Sequence, residues 1–192
     1  MENKFLAHIA EDGREQTVFE HLAAEFSRPF GGEAQGLLAG TAHDIGKYSA
    51  AFQRRLTGDS RRVDHATAGA FECMGRGQPF AAFAVAGHHG GLPDGGGRGD
   101  GPEAATFWGR IKRAGRGGLE PYGAWAREVS LPGGQPPPFA KQNPGAGMFF
   151  IRMLYSCLVA ADFLDTEALM SGKPRGSCSG CWKKKAPSIR PL

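Results

Sequence analysis

The chain has 192 residues, 41% hydrophobic and 22% charged, which is apolar enough for one folded domain and excludes a disordered chain. Its 30 glycines and 13 prolines follow no Gly-X-Y period, which excludes a collagen-like helix and places the excess in loops. The net charge of +4 is unevenly spread: six Lys and Arg and no acid follow Gly172, leaving 17 basic against 19 acidic residues before it, so overall charge makes no case for a basic nucleic-acid-binding body.

Residues 1–12 contain no apolar run, so no signal peptide is expected. Thr17-x-x-Glu20 reads as a capping box that opens a helix through Phe26. The spacing of apolar residues predicts further helices over 35–45, 49–56, 64–74 and 79–87, and more exposed ones over 103–114 and 122–129. The segment 148–170 is apolar nearly all round and is expected to be a central buried helix. Its most apolar part, 148–164, is interrupted by Arg152 and Asp162 and is too short for a comfortable membrane span, so no membrane partner is expected.

No stretch alternates as a strand does. The expected fold is therefore all-α, a helical bundle with long Gly/Pro-rich loops at 90–102 and 130–147. Residues 1–172 form the domain and 173–192 a basic tail or linker. Two basic clusters, Arg54, Arg55, Arg61 and Arg62, then Arg110, Lys112, Arg113 and Arg116, fit either solvated helix faces or phosphate contacts. Cys73 and Cys157 read as core. Cys178-x-x-Cys181 is half a zinc site, and the cysteines as a set suit a reducing, cytoplasmic setting. There is no GxxxxGK[ST] and no GxSxG, which removes P-loop and serine-hydrolase chemistry.

The chemistry lies in the histidines, at 8, 21, 43, 65, 88 and 89. His8 has no distinctive setting. His43-Asp44, Asp64-His65 and His88-His89 are polar pairs on or beside apolar helices, and a buried imidazole needs a polar partner or a metal. Lys47 shares the helical face of His43 and Asp44; it either snorkels to water or serves a phosphate or leaving oxygen. Gly90-Gly91 free the His88-His89 pair to converge on one ion or simply end a helix. Asp162 in an apolar helix needs a metal or a salt bridge. Asp165 is expected nearer the helix end and exposed.

Four segments carry a resemblance. Ala-His-Asp-Ile-Gly-Lys at 42–47 with Phe52-Gln53 after it, Asp-His-Ala-Thr-Ala-Gly-Ala at 64–70, Gly-His-His-Gly-Gly-Leu at 87–92 and Ala-Asp-Phe-Leu-Asp-Thr-Glu at 161–167 follow in order. Across about residues 5–170 the set resembles the HD nuclease domain of the type I CRISPR interference nuclease–helicase, within the HD metal-dependent phosphohydrolase superfamily. The resemblance implies an HD-domain bundle and a two-metal endonuclease of single-stranded DNA in antiviral defence. It also implies recruitment by an RNA-guided CRISPR surveillance complex and a superfamily 2 helicase domain or subunit. By position, one metal would be held by His21, His43, Asp44 and Asp162. The other would be held by Asp44, His65, His88 and His89, with Asp44 bridging. Asp44 and Lys47 would be the catalytic residues.

Mixed N/O ligation favours Mn, Fe, Co or Ni over Mg as the two divalent ions. Binding through phosphates should be salt-sensitive, and Phe107 or Trp108 would either stack on bases or pack in the core. The alternative enzyme is an HD phosphohydrolase acting on nucleotides or cyclic nucleotides; the non-enzymatic alternative is a binding-only HD domain.

Overall fold

Small side chains set the centre of the fold. Two Ala-rich helices, α4 (Ala66–Gly75) and α5 (Pro79–Gly87), lie against each other, and α5 also packs on α2 (Glu33–Ala42) and α7 (Pro144–Ser171). Ala81, Ala82, Ala84 and Val85 of α5 are fully buried, which lets three helix backbones approach closely around it. This computed structural model describes residues 6–9, 15–17, 23–58 and 61–171. The remaining helices are α1 (Ala24–Ser27), α3 (Ala50–Leu56) and α6 (Phe107–Gly115), with 3₁₀ turns at Arg28–Phe30, Ile45–Tyr48, Gly123–Arg127 and Pro138–Lys141. The all-α expectation holds. One addition is a short antiparallel pair, β1 (Leu6–Ile9) and β2 (Glu15–Thr17), with Leu6 opposite Thr17; four and three residues are too few to show an alternating pattern.

The core is Leu38, Ile45, Val85, Phe107, Phe150, Leu154 and Leu158, all but inaccessible to solvent. Helix α7 supplies the last three. Asn143 accepts from the Ala146 amide (2.9 Å) and Pro144 opens the helix, four residues earlier than expected. The helix is not buried all round. Phe150, Leu154, Leu158, Ala161 and Asp165 form its buried face at three- and four-residue steps, whereas Met148, Phe149, Phe163 and Met170 are exposed. Asp165 is thus buried (5% exposed), contrary to expectation. The 24 residues Pro144–Glu167 are long and apolar enough to cross a membrane by length and composition, a test that the core helix of a soluble protein also passes; here one face packs on α5, α2 and the Pro138–Lys141 turn.

Other boundaries differ for identifiable reasons. The helix expected over 35–45 ends at Ala42. The one expected over 122–129 is a 3₁₀ turn, and α6 starts at Phe107, where the Thr106 hydroxyl caps the Gly109 amide (3.2 Å). The long loop at 90–102 is tied to α6: the Phe107 amide donates to the Asp94 carbonyl (2.7 Å) and the Asp100 carboxylate accepts from Thr106 (2.6 Å). The capping-box helix start at 17–22, the tail at 173–192 and Cys178 and Cys181 lie outside the described residues, apart from the Thr17 backbone in β2.

Candidate metal centre

Four chain segments meet at one point. Helix α2 ends at Ala42, His43 caps it with its amide on the Ala39 carbonyl (2.9 Å), and Asp44 turns the chain into Ile45–Tyr48. A Cβ on Gly46 would run into the His65 backbone, and one on Gly69 into the Ala42 carbonyl. Glycine at these two places lets the start of α4 rest on the end of α2. His65 stands one residue before α4. Beside it the Asp64 carboxylate accepts from the Thr67 amide (3.1 Å) and hydroxyl (2.5 Å), holding the helix start in place. His88 and His89 leave the end of α5, where the Gly90 and Gly91 amides both close on the Gly87 carbonyl (3.0 and 2.8 Å) and Gly91 takes φ +90°. Asp162 arrives from α7.

The side chains converge. Asp44 Oδ2 lies 3.3 Å from His43 Nε2 and 2.7 Å from Lys47 Nζ, and Asp44 Oδ1 lies 3.6 Å from His65 Nε2 and 4.0 Å from His88 Nε2. His43 Nε2 is also 3.7 Å from Asp162 Oδ1, and His65 and His89 meet Nε2 to Nε2 at 2.7 Å. Two groups of potential ligands result, each with its ligand atoms within 4.8 Å of one another: Asp44, His65, His88 and His89, and His43, His88 and Asp162. Ligand atoms about 2.1 Å from one ion stand no more than about 4.2 Å apart, so small adjustments bring either group onto an ion.

Ring orientation adds a second line of support. His43 Nδ1 sits 2.7 Å from the Gly40 carbonyl and His88 Nδ1 2.7 Å from the Val85 carbonyl. A carbonyl accepts only from N–H, so each Nδ1 carries the proton and a neutral ring turns the Nε2 lone pair inward, the usual outer-sphere arrangement for a metal-binding histidine. His88 Nε2 and His65 Nδ1 are buried with no hydrogen-bond partner among the described residues, which is costly unless another group takes them.

The electrostatics divide the centre. Burial opposes a charge on His43, but Asp44 and Asp162 outweigh it and push that imidazole up to about 10. Burial would raise the Asp162 carboxyl, yet the facing His43 holds it well below the usual carboxylate range. Burial, against the attraction of Asp44, pushes His65 down to about 4. Burial and then the charge on His43 push His88 down to about 3, and His89 is lowered too, by burial first. Without a cation the His43 side therefore keeps a proton between carboxylates, where a divalent ion would replace it.

Six of the seven ligands expected from the sequence come together, with Lys47 among them at 1% exposure rather than snorkelling to water. His21 lies outside the described residues, as does the His8 side chain. Phe107 is core, stacked on Phe83 (ring centroids 3.8 Å), and Trp108 packs under Arg98 (5.6 Å), so neither contributes to the centre. Arg110, expected in a basic cluster as a solvated or phosphate-contacting residue, has a bracing role that its sequence setting did not show. Its guanidinium donates to the Thr67 hydroxyl (2.7 and 3.1 Å) and the Ala86 carbonyl (3.0 Å), and faces Asp64 at 3.5 Å. It thereby joins the segment that carries His65 to the one that carries His88 and His89. No protein-family model matches the chain, and no curated protein matches it in sequence. What the geometry itself supports is a buried His/Asp cluster that could hold a metal ion.

Proposed function

We propose that the protein is a metal-dependent phosphodiesterase, a nuclease that cuts single-stranded DNA with two divalent ions. The observation that carries this reading is the position of Asp44, whose two carboxylate oxygens face different histidines: Oδ2 faces His43, Oδ1 faces His65 and His88. One ion would be held by His43, Asp162 and Asp44, with His21 as a further ligand carried by the motif resemblance. The other would be held by Asp44, His65, His88 and His89. Two such ions would supply Lewis acidity at both the attacking and the leaving oxygen of an in-line displacement at phosphorus.

The chain's own residues do the rest. Asp44 fixes the spacing of the two groups. The carbonyls of Gly40 and Val85 hold two imidazoles in the tautomer that binds. Lys47, buried and 2.7 Å from Asp44 Oδ2, lines the groove that opens beside the cluster. It would put a positive charge against a phosphate there, or give a proton to the departing oxygen. Mn, Fe, Co or Ni suit this nitrogen-rich set better than Mg. Antiviral defence, the RNA-guided complex and the helicase partner belong to the same proposal and rest on the motif series alone; the cytoplasmic setting rests on the cysteine pattern.

Circular single-stranded DNA incubated with the protein and Mn²⁺ tests the reading. Cleavage that a chelator abolishes is expected. Turnover of nucleotides or cyclic nucleotides with no cutting of DNA would replace it with the small-molecule phosphohydrolase, and binding without turnover of either would replace it with a binding domain.

A further inference from the structure

We propose that the groove beside the cluster seats the strand next to the phosphate being cut, with Arg55 and Arg62 holding a neighbouring phosphate; this rests on the nuclease reading above. The groove has a volume of about 750 Å³ and runs from Lys47, His65 and His89 to Arg55 and Arg62. Pockets of roughly 300–1,000 Å³ take small ligands, so the space suits a short stretch of one strand. Leu56 and Leu92 add apolar wall against which a base can lie.

Hydrogen bonding sets Arg55 and Arg62 apart from Arg110, Lys112 and Arg113 of the second basic cluster; Arg61 of the first cluster is itself engaged. In the second, Lys112 donates to the Arg98 and Asp100 carbonyls (both 2.5 Å), Arg113 donates to the Pro102 carbonyl (2.7 Å), and Arg110 is committed to Thr67 and Ala86. In the first, Arg55 and Arg62 are exposed, line the groove, and make no hydrogen bond or ion pair with any described residue. The acid in the groove wall, Asp64, already accepts two hydrogen bonds from Thr67 and faces Arg110. Its charge is therefore largely answered, and the field toward the mouth is positive. A phosphate at the cluster and a second at the two arginines describe a polymer rather than a mononucleotide.

The test compares oligothymidylate with bis(p-nitrophenyl) phosphate, a diester with no neighbouring phosphate, on the metal-loaded full chain. In R55A/R62A the ratio of kcat/KM for the oligomer over the small diester should fall at least about tenfold, through KM. The log–log salt dependence of oligomer binding should become shallower by about 0.7, from the loss of one neutralised phosphate on a single strand. Arg54→Ala, on the same helix but outside the groove, is the control for charge alone. An unchanged ratio and slope, an equal loss on both substrates, or the same effect from Arg54→Ala would each overturn the proposal. If the wild type hydrolyses neither substrate, the nuclease reading fails separately. The groove is then judged by anisotropy with labelled oligothymidylate: weaker, less salt-dependent binding by R55A/R62A upholds it, and equal binding overturns it.

Discussion

Asp44 faces both halves of the cluster, one oxygen toward His43 and the other toward His65 and His88, and the two ligand groups have His88 in common; in other respects the halves differ. The His43–Asp162 half draws its ligands from the end of α2 and from α7 and holds its imidazole charged. The His65–His88–His89 half opens through His89 onto the groove and holds its imidazoles neutral. The difference comes from carboxylate count. Two carboxylates face His43, whereas a single Asp44 oxygen faces both His65 and His88, too little to offset their burial. On the proposed two-ion reading, the half that opens on the groove would take an ion at neutral pH as it stands, whereas the His43 half would first give up a proton.

The largest effect should come from the residue both halves use. Asp44→Asn keeps the shape, removes the charge and takes away the partner of a buried lysine, a change that costs about 3–5 kcal/mol for a buried pair. Loss of bound metal by elemental analysis, loss of DNA cleavage and a lower unfolding midpoint are expected together; full metal content would break the shared-carboxylate account. Next come the paired variants His65→Ala and Asp162→Asn. Each should empty its own half while leaving about one ion per chain, seen as a halving of the metal count. If either empties both, the halves are not separate sites.

A smaller effect is expected outside the ligand shell. Arg110→Gln should weaken metal affinity about tenfold, at the low end of what outer-sphere partners contribute, and only in the open half. Titration with Mn²⁺ should resolve one weakened and one unaltered step; a loss in the His43 half instead would mean that Arg110 supports the whole fold.

The pH dependence of the metal-free protein sharpens the contrast further. His43, pushed up to about 10, contributes stability that is complete below its unfolded value near 6.5 and is lost as pH rises toward 10. His65 and His88, pushed down to about 4 and about 3, act in the opposite sense: the unfolded chain takes up their protons first, so stability falls as pH drops below about 6.5. Unfolding midpoints should peak near pH 6.5, and His43→Gln should flatten the alkaline limb most, with a smaller change on the acid limb because the His43 charge also lowers His88 and Asp162. Metal uptake at pH 7 should release about one proton, from His43; calorimetry in buffers of different ionisation enthalpy measures it.

Much of this was legible in the chain because ligands come as residue types, and residue types survive in sequence. Adjacent His-Asp and His-His pairs beside apolar helices, and one acid inside an apolar run, name the cluster without coordinates. What the sequence hid was geometry. The helix expected to run through Ile45 stops at Ala42 because His43 and Asp44 must turn away from its axis, and nothing in residues 35–45 says so. Gly46 reads as a helix stop, but its role is contact with His65. Asp165 was legible, since Leu154, Leu158, Ala161 and Asp165 share one helical face, yet its place near the helix end suggested exposure. Arg110 was not, because its spacing is that of any solvated arginine and its partners are 24 and 43 residues away.

The most direct test is anomalous diffraction from crystals of the full chain soaked in Mn²⁺. The account predicts two peaks flanking the Asp44 carboxylate, about 3.5–4 Å apart, one toward His43 and Asp162 and one toward His65, His88 and His89. No peak beside Asp44, or a single ion that leaves His65 and the double histidine unused, would contradict it.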